Sequence, residues 1–510
     1  MSLGLGFASP AQYWLQGNER LSPSQQPTTV FSLSNSFLPS RIRSAALPNT
    51  VIDQATIQGS PGSALLRRSF RKTFPPAVRG QGAYLWDARG KQYLDFAGSA
   101  AVNFIGHGVA EIVSAMGEQA RSLEFVHSSQ FTTPVAEQYA SELLEFAGPA
   151  YKGGAVYFTA SGSDAVEFAL KLAREYQVEV GNFGRSQIIS RDQSQHGSTL
   201  GAIAVSHHGR RAEIYRPMVR QFTTINTPYC YRCLYECKDG CAHCGAEYAL
   251  ELEAALDAID AQAAAMILEP VSGTFLGAVL PPPGYLQKIA EICEANEVLL
   301  IADEVTSGMG RTGRNFAVQH WGVHPDIVVT SKGLSSGYAP LAAVIVSPKV
   351  VEVVAYGSGV HMHGFTYSSH PISLAAGRAV LNHIAQNDLV EAADSDHPGS
   401  IAAKLKNGLE GLQDLATVGD VRGIGLLWAI EFVADKASKT PFPASQNFSG
   451  LVAQAATDRG LLVYPGQGCA GADCGDHILL APPAVISPEQ VDWACEQLSQ
   501  SILEALPPGR

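Results

Sequence analysis

A lysine at the end of an apolar run is the most reactive arrangement in this sequence: "DIVVTSKGLSSG" sets Lys332 where a strand-like segment gives way to small residues. An amine held in a tight, partly dry site has a lowered pKa and can condense with an aldehyde. Asp303 closes a second such run, "VLLIADEV". A buried carboxylate needs a partner, and a protonated ring nitrogen would hold it ionised; an Asp capping the following turn is the plainer alternative. In "TASGSDAVEFALKLAR", Ser161, Gly162 and Ser163 precede a helical pattern. Backbone N–H groups and a helix N-terminus there suit a phosphate, although Ser-Gly-Ser is also an ordinary N-cap. Thr366, in "HGFTYSSHP", offers a hydroxyl in a polar turn. Each feature alone is weak. Together, a phosphate cradle, an acid for a pyridine nitrogen and a Schiff-base lysine describe a pyridoxal phosphate site.

The elements that must position these groups are apolar runs of strand length at 154–160, 186–192, 264–270, 298–305, 326–332 and 341–347, separated by amphipathic helical patterns such as 163–176 and 285–296. That alternation predicts an α/β domain with a mainly parallel central sheet, and ligands of such sheets sit at the carboxyl ends of the strands. The chain has 510 residues, 46% hydrophobic content and a formal charge of −12. Scattered charges without basic runs give no footprint for nucleic acid or anionic lipid, and no apolar run approaches the roughly 18 residues of a membrane span. The opening "MSLGLGFASPAQYW" lacks the basic and apolar regions of a secretory signal, so a cytoplasmic protein is expected. Residues 1–50, poor in acids and carrying Arg20, Arg41 and Arg43, keep an organelle transit peptide open.

From Gly80 ("RGQGAYLWDARGKQYLDF") through "SGSDAVEFALKLAR", "SQHG", "LEPVSG", "DEVTSGMGRTG", "SKGLSSGYAPLAAV", "HGFTYSSHPISLAAG" and "VRGIGLLWAIEF" to "GDHILLAPPAVIS", the order and wording resemble the class III, or omega, aminotransferases of the fold type I pyridoxal phosphate enzymes. The resemblance implies a large domain over 111–384, a smaller α+β domain built from 61–110 and 385–510, and an arm over 1–60. It implies that Lys332 forms the Schiff base and then moves the proton between the substrate Cα and the cofactor. Asp303 would keep the pyridine nitrogen protonated, Val305 would pack on one ring face, and Ser161, Gly162 and Ser163 would take the phosphate. Thr366 would reach the phosphate of a neighbouring subunit, making the protein a homodimer with shared sites. His196, Gly197, Glu269 and Arg422 also match family positions, Arg422 in a structural more than a substrate-binding role.

Several positions depart from the family pattern. Gln195 stands where an aromatic residue usually stacks on the cofactor, and Thr306 where a Gln often meets its 3′ oxygen. "HILLAPPA" carries Leu479 and Leu480 instead of an Arg that would bind an α-carboxylate, residues 461–476 contain no Arg or Lys, and Ala101 replaces a pocket Trp of some members. These changes imply an amine or long omega-amino acid as donor, and a keto acid such as pyruvate as acceptor, held by Arg232 or Arg314, in a ping-pong reaction. Three other readings compete. The same cofactor could serve decarboxylation, racemisation, lyase or aminomutase chemistry. "GMGRTG" at 308–313 fits a dinucleotide-binding pattern, although no clear helix follows it. Finally, "CYRCLYECKDGCAHC" groups Cys230, Cys233, Cys237, Cys241 and Cys244 as soft ligands for a structural zinc, and so suggests a metal-organised binding protein. Its spacer, 234–240, is shorter than the roughly 15–20 residues of zinc ribbons, and redox pairs or plain thiols fit it as well.

Overall fold

All six apolar runs form strands, and a seventh, two-residue strand joins them. A computed structural model describes residues 65–506 apart from 67, 70, 71, 73, 208–212, 236–240, 242 and 472–473, so the expectations for 1–60 and for Cys237 lie outside the described residues. The strands are β1 (Ala155–Thr159), β2 (Gln187–Arg191), β3 (Thr224–Ile225), β4 (Ala263–Leu268), β5 (Leu299–Asp303), β6 (Ile327–Thr330) and β7 (Ala342–Val346). They make one 7-stranded sheet in the order β1-β7-β6-β5-β4-β2-β3. β7 runs antiparallel to both neighbours, and every other pairing is parallel. β1, β2, β4, β5 and β6 therefore end on the same edge.

The sheet is parallel because both its faces are covered. β4 to β7 are buried along their whole length, which their near-continuous Ala, Val, Ile and Leu content requires. Alternate side chains divide between the faces. Leu299, Ile301, Ile327 and Val329 pack with Ala165, Phe168, Ala169 and Leu172 of helix α1 (Gly162–Glu179). Met266, Leu268 and Leu300 pack with helices α2 (Cys244–Ala258) and α3 (Tyr285–Ala295) through Tyr248, Leu252, Ile289 and Ile292.

Contacts divide the chain into Met1–Phe74 and Pro75–Arg510. Within the second unit, strands Ala77–Gln81, Tyr84–Asp87 and Gln92–Asp95 pair in series, and Leu461–Leu462 adds to the last in parallel. A third sheet is antiparallel: Val418–Ile424, Leu427–Phe432, Asp476–Leu480 and Tyr464–Gln467. The glycines of 308–313 open no helix. Instead Arg311 turns inward, fully buried, and donates to the carbonyls of Asn103, Ala481 and Pro482. The loop staples the sheet to distant segments, and the dinucleotide reading loses the helix N-terminus it needs.

Candidate active site

Lys332 stands two residues past β6, with φ 39°, and is partly buried. Its Nζ donates to Thr306 Oγ1 at 2.8 Å. Burial lowers its pKa to about 8, against the opposing pull of Asp303 and Glu269. Asp303, the last residue of β5, is 5% exposed. Its Oδ1 accepts from the Val305 N–H at 3.0 Å, and its Oδ2 lies 2.7 Å from His196 Nδ1. The His196 backbone N–H donates to Ser206 Oγ at 2.8 Å, and that hydroxyl donates to the Ala202 carbonyl. The ring opposite Asp303 is thus fixed from behind.

Glu269, just past β4, is buried, and burial raises its pKa. Its Oε1 accepts from Gly273 N–H at 2.9 Å and its Oε2 from Gln195 N–H at 3.3 Å, while Arg191 donates to its carbonyl. Gln195 Oε1 in turn accepts from Thr274 Oγ1 at 2.9 Å. A Cβ added to Gly273 would stand 2.9 Å from Glu269 Oε1 and 3.0 Å from Thr306 Oγ1. Glu269, Thr306 and Lys332 are therefore neighbours.

Ser161 caps α1: its Oγ accepts from Asp164 N–H at 3.3 Å and its carbonyl from Ala165 N–H at 3.0 Å. The N–H groups of Gly162 and Ser163 precede the first intrahelical bond and form the positive end of the helix. A Cβ at Gly162 would touch both methyls of Val305 at 3.4 Å, so this helix end lies against the residue after Asp303-Glu304. Ser163 Oγ accepts from Ser198 N–H at 3.0 Å. Gly197 has φ 147°, and a Cβ there would come within 2.6 Å of Ser163 Oγ, so only glycine fits. One continuous set of contacts thus unites Ser161, Gly162, Ser163, Gln195, His196, Gly197, Glu269, Asp303, Val305, Thr306 and Lys332.

The other predicted site residues stand apart from this set. Thr366 is exposed on a turn. Ala101 ends a left-handed turn, Gly98–Ala101, and packs in an apolar cluster with Val271, Leu479 and Ala481. Arg314 donates to Asp394 Oδ2 at 2.6 Å near the surface. Arg232 donates to Glu431 Oε1 at 2.7 Å, and Arg422 donates to Glu431 Oε2 and Asp420 Oδ2, each at 2.9 Å, and to the carbonyls of Leu276 and Gly277. Tyr229 also donates to Glu431. Glu431, fully buried, is the hub that the sequence reading missed; its partners lie far away in the chain, so no local pattern marks it.

A family profile described as "Aminotransferase class-III" matches residues 67–502. The chain is 36% identical over 442 residues to the uncharacterized aminotransferase YodT of Bacillus subtilis, covering 86% of this chain and 97% of that one. It is 33% identical to an adenosylmethionine-8-amino-7-oxononanoate aminotransferase of Geobacter sulfurreducens, covering 83% and 91%. Among solved structures, a thermostable (S)-enantioselective omega-transaminase from Thermomicrobium roseum superposes with a TM-score of 0.78 at 35% identity, over 86% of this chain and 94% of that one. The omega transaminase of Pseudomonas jessenii in complex with PMP gives 0.78 at 29% identity, over 85% and 93%.

Proposed function

The chain belongs to the class III aminotransferase family, whose members use pyridoxal phosphate, and from that premise we propose that it moves an amino group from an amine or omega-amino acid to a keto acid such as pyruvate by a ping-pong reaction. The observation that carries this reading is the Lys332 amine, lowered to about 8, in one contact network with the buried Asp303–His196 pair. The residues fit the cofactor: a buried carboxylate for its ring nitrogen, an amine for its aldehyde, and a helix N-terminus lined by Gly162 and Ser163 for its phosphate. Bound there, pyridoxal phosphate supplies an electron sink for the carbanion formed at the amine carbon.

The chain's own groups do the rest. Val305 N–H and His196 fix the Asp303 carboxyl in place, where it would pair with the ring nitrogen and keep that nitrogen protonated. Thr306 positions Lys332 Nζ, which holds the cofactor and then takes a proton from the substrate carbon and returns it. Gln195, locked by Thr274 and Glu269, presents a flat amide where a stacking ring would offer more contact. Ser163 Oγ accepts one hydrogen bond, from Ser198 N–H, and its own O–H would donate to the phosphate.

The donor side lacks a cation at Leu479 and Leu480, which are wholly buried, and this favours an amine. Arg314, paired with Asp394 near the surface, does not line the cleft that Arg232 lines. Arg232 and Arg216 line a cleft of about 450 Å³ with Gln193, Tyr229 and Phe275, and the keto acid carboxylate is assigned to these two arginines. Thr366, exposed on its own chain, is assigned to the phosphate of a partner subunit in a homodimer, and the enzyme to the cytoplasm. Among the described residues no helix is long and apolar enough to cross a membrane. The test is a panel of amines, omega-amino acids and α-amino acids with pyruvate as acceptor. Alanine and the matching carbonyl product should form fastest from amines; preference for short α-amino acids overturns the donor assignment.

A further inference from the structure

The cofactor site leaves the cysteine-rich stretch 230–244 without a role. Three of the four thiols in its two Cys-x-x-Cys pairs come together in the structure. Cys230 lies on the short turn Cys230–Arg232, Cys241 in the turn before α2, and Cys244 is the first residue of α2. Their Sγ atoms all lie within 4.8 Å of one another. Cys233, the other half of the first pair, falls outside that group; Tyr248 Oη donates to its Sγ at 3.8 Å, and Tyr248 is one helical turn from Cys244 on α2. Cys244 is buried and the other three are half-buried, at the edge of the core formed by Ile225, Tyr248 and Leu252.

Tetrahedral thiolate zinc has Zn–S bonds of about 2.3 Å, which sets the sulfurs about 3.8 Å apart. The Cys230, Cys241 and Cys244 sulfurs, within 4.8 Å of one another, stand close to that spacing, and Cys233 is the remaining thiol of the two pairs. Four thiolates are soft ligands that select zinc over the hard cations that prefer carboxylates. We infer that Cys230, Cys233, Cys241 and Cys244 hold one structural zinc ion. Cys237 lies outside the described residues, and His243 is exposed.

The ion ties the segment from Tyr229 to Cys233 onto α2. That segment carries the Tyr229 and Arg232 side chains that bond Glu431 and line the 450 Å³ cleft. Fixing one short loop to a helix removes backbone freedom from the wall of the cleft. The metal therefore acts on substrate fit, and its presence does not depend on the aminotransferase reading.

The test is metal content, measured by plasma mass spectrometry on full-length protein purified without chelator and re-equilibrated with zinc. Wild type and Lys332→Ala should both retain one zinc per chain. Cys241→Ser and Cys244→Ser should fall below a tenth of that, while Cys495→Ser, altered in a distant helix, keeps it. If the serine variants do not fold, wild type stripped and reloaded with Co(II) should show the thiolate-to-cobalt charge-transfer band and the visible bands of a tetrahedral ion. Stripping the zinc should raise KM for the keto acid several-fold with kcat little changed. Wild type without stoichiometric metal that also fails to take up Co(II), zinc retained in the Cys241→Ser/Cys244→Ser double variant, or a thiol titration showing these cysteines as disulfides would each overturn the inference. Loss of zinc in Cys237→Ser with retention in Cys233→Ser would overturn the fourth ligand.

Discussion

At the scale of the residue, Lys332 is set by burial. Its pKa of about 8 lies below the 10.5 of a free lysine because the ammonium is the form that burial disfavours. Between those values the unfolded chain binds more protons than the folded one, so the cofactor-free protein gains stability as pH rises from about 8 to about 10.5 and carries the full penalty below 8. Cofactor-free Lys332→Met should therefore melt higher than wild type at pH 7, with the gap closing toward pH 10. Calorimetry giving the same difference at both pH values would count against a buried amine. Asp303→Asn keeps the shape but loses the charge that faces His196 and the ring nitrogen. Losing one charged hydrogen bond, about 1.5–3 kcal/mol, predicts a fall in kcat/KM of about 10- to 150-fold; steady-state rates with a saturating amine check this. Lys332, Asp303 and the Ser161–Ser163 turn were legible in the sequence because each interrupts an apolar run where a ligand would sit. Glu431 was not, since its bond to Arg232 spans 199 positions. Burial pushes its carboxyl up to about 8, and it accepts from Tyr229, Arg232 and Arg422; Glu431→Gln takes an acceptor from these buried bonds and should lower stability by about 1–3 kcal/mol, read from a denaturant midpoint, whereas no change would show that the two arginines do not depend on it.

At the scale of the element, the sheet was legible because its strands are continuous apolar runs of strand length bounded by polar or small residues. β3, two residues long, carries no period to read. The pairing of Leu461–Leu462 with Gln92–Asp95 joins segments more than 360 positions apart and leaves no local signature. The turn Gly98–Ala101 was likewise unreadable: Ser99 and Ala100 adopt left-handed φ of 50° and 66°, held by Ser99 N–H and Oγ donating to Asp95. Such residues prefer right-handed backbone by about 1–2 kcal/mol each, so the turn persists on packing that includes Ala101. A Cβ at Gly98 would lie 2.1 Å from the Ala481 carbonyl oxygen. Gly98→Ala should destabilise by about 2–4 kcal/mol from overpacking plus backbone strain, visible as a lower Tm, whereas a neutral effect would mean the turn relaxes freely.

At the scale of the molecule, the described chain builds one contact network from the ends of β1, β2, β4, β5 and β6 and leaves Thr366 exposed to solvent. If Thr366 completes the phosphate site of a partner, a dimer of one Lys332→Ala chain and one Thr366→Ala chain contains one site with both changes and one with neither. Mixed dimers should then hold cofactor at limiting concentration with about half the wild-type capacity, while Thr366→Ala homodimers release it. Equal release from both would place Thr366 in its own chain's site, and retention by the Thr366→Ala homodimer would place it outside the site. The proposed reaction needs Lys332 joined to a bound aldehyde, which absorbance reads. The purified protein with pyridoxal phosphate should be yellow, should lose that visible band when an amine is added and regain it with pyruvate, and the Lys332→Ala variant should lack the lysine-bound band. A colourless wild-type protein whose spectrum matches the variant and does not respond to amine would contradict the account.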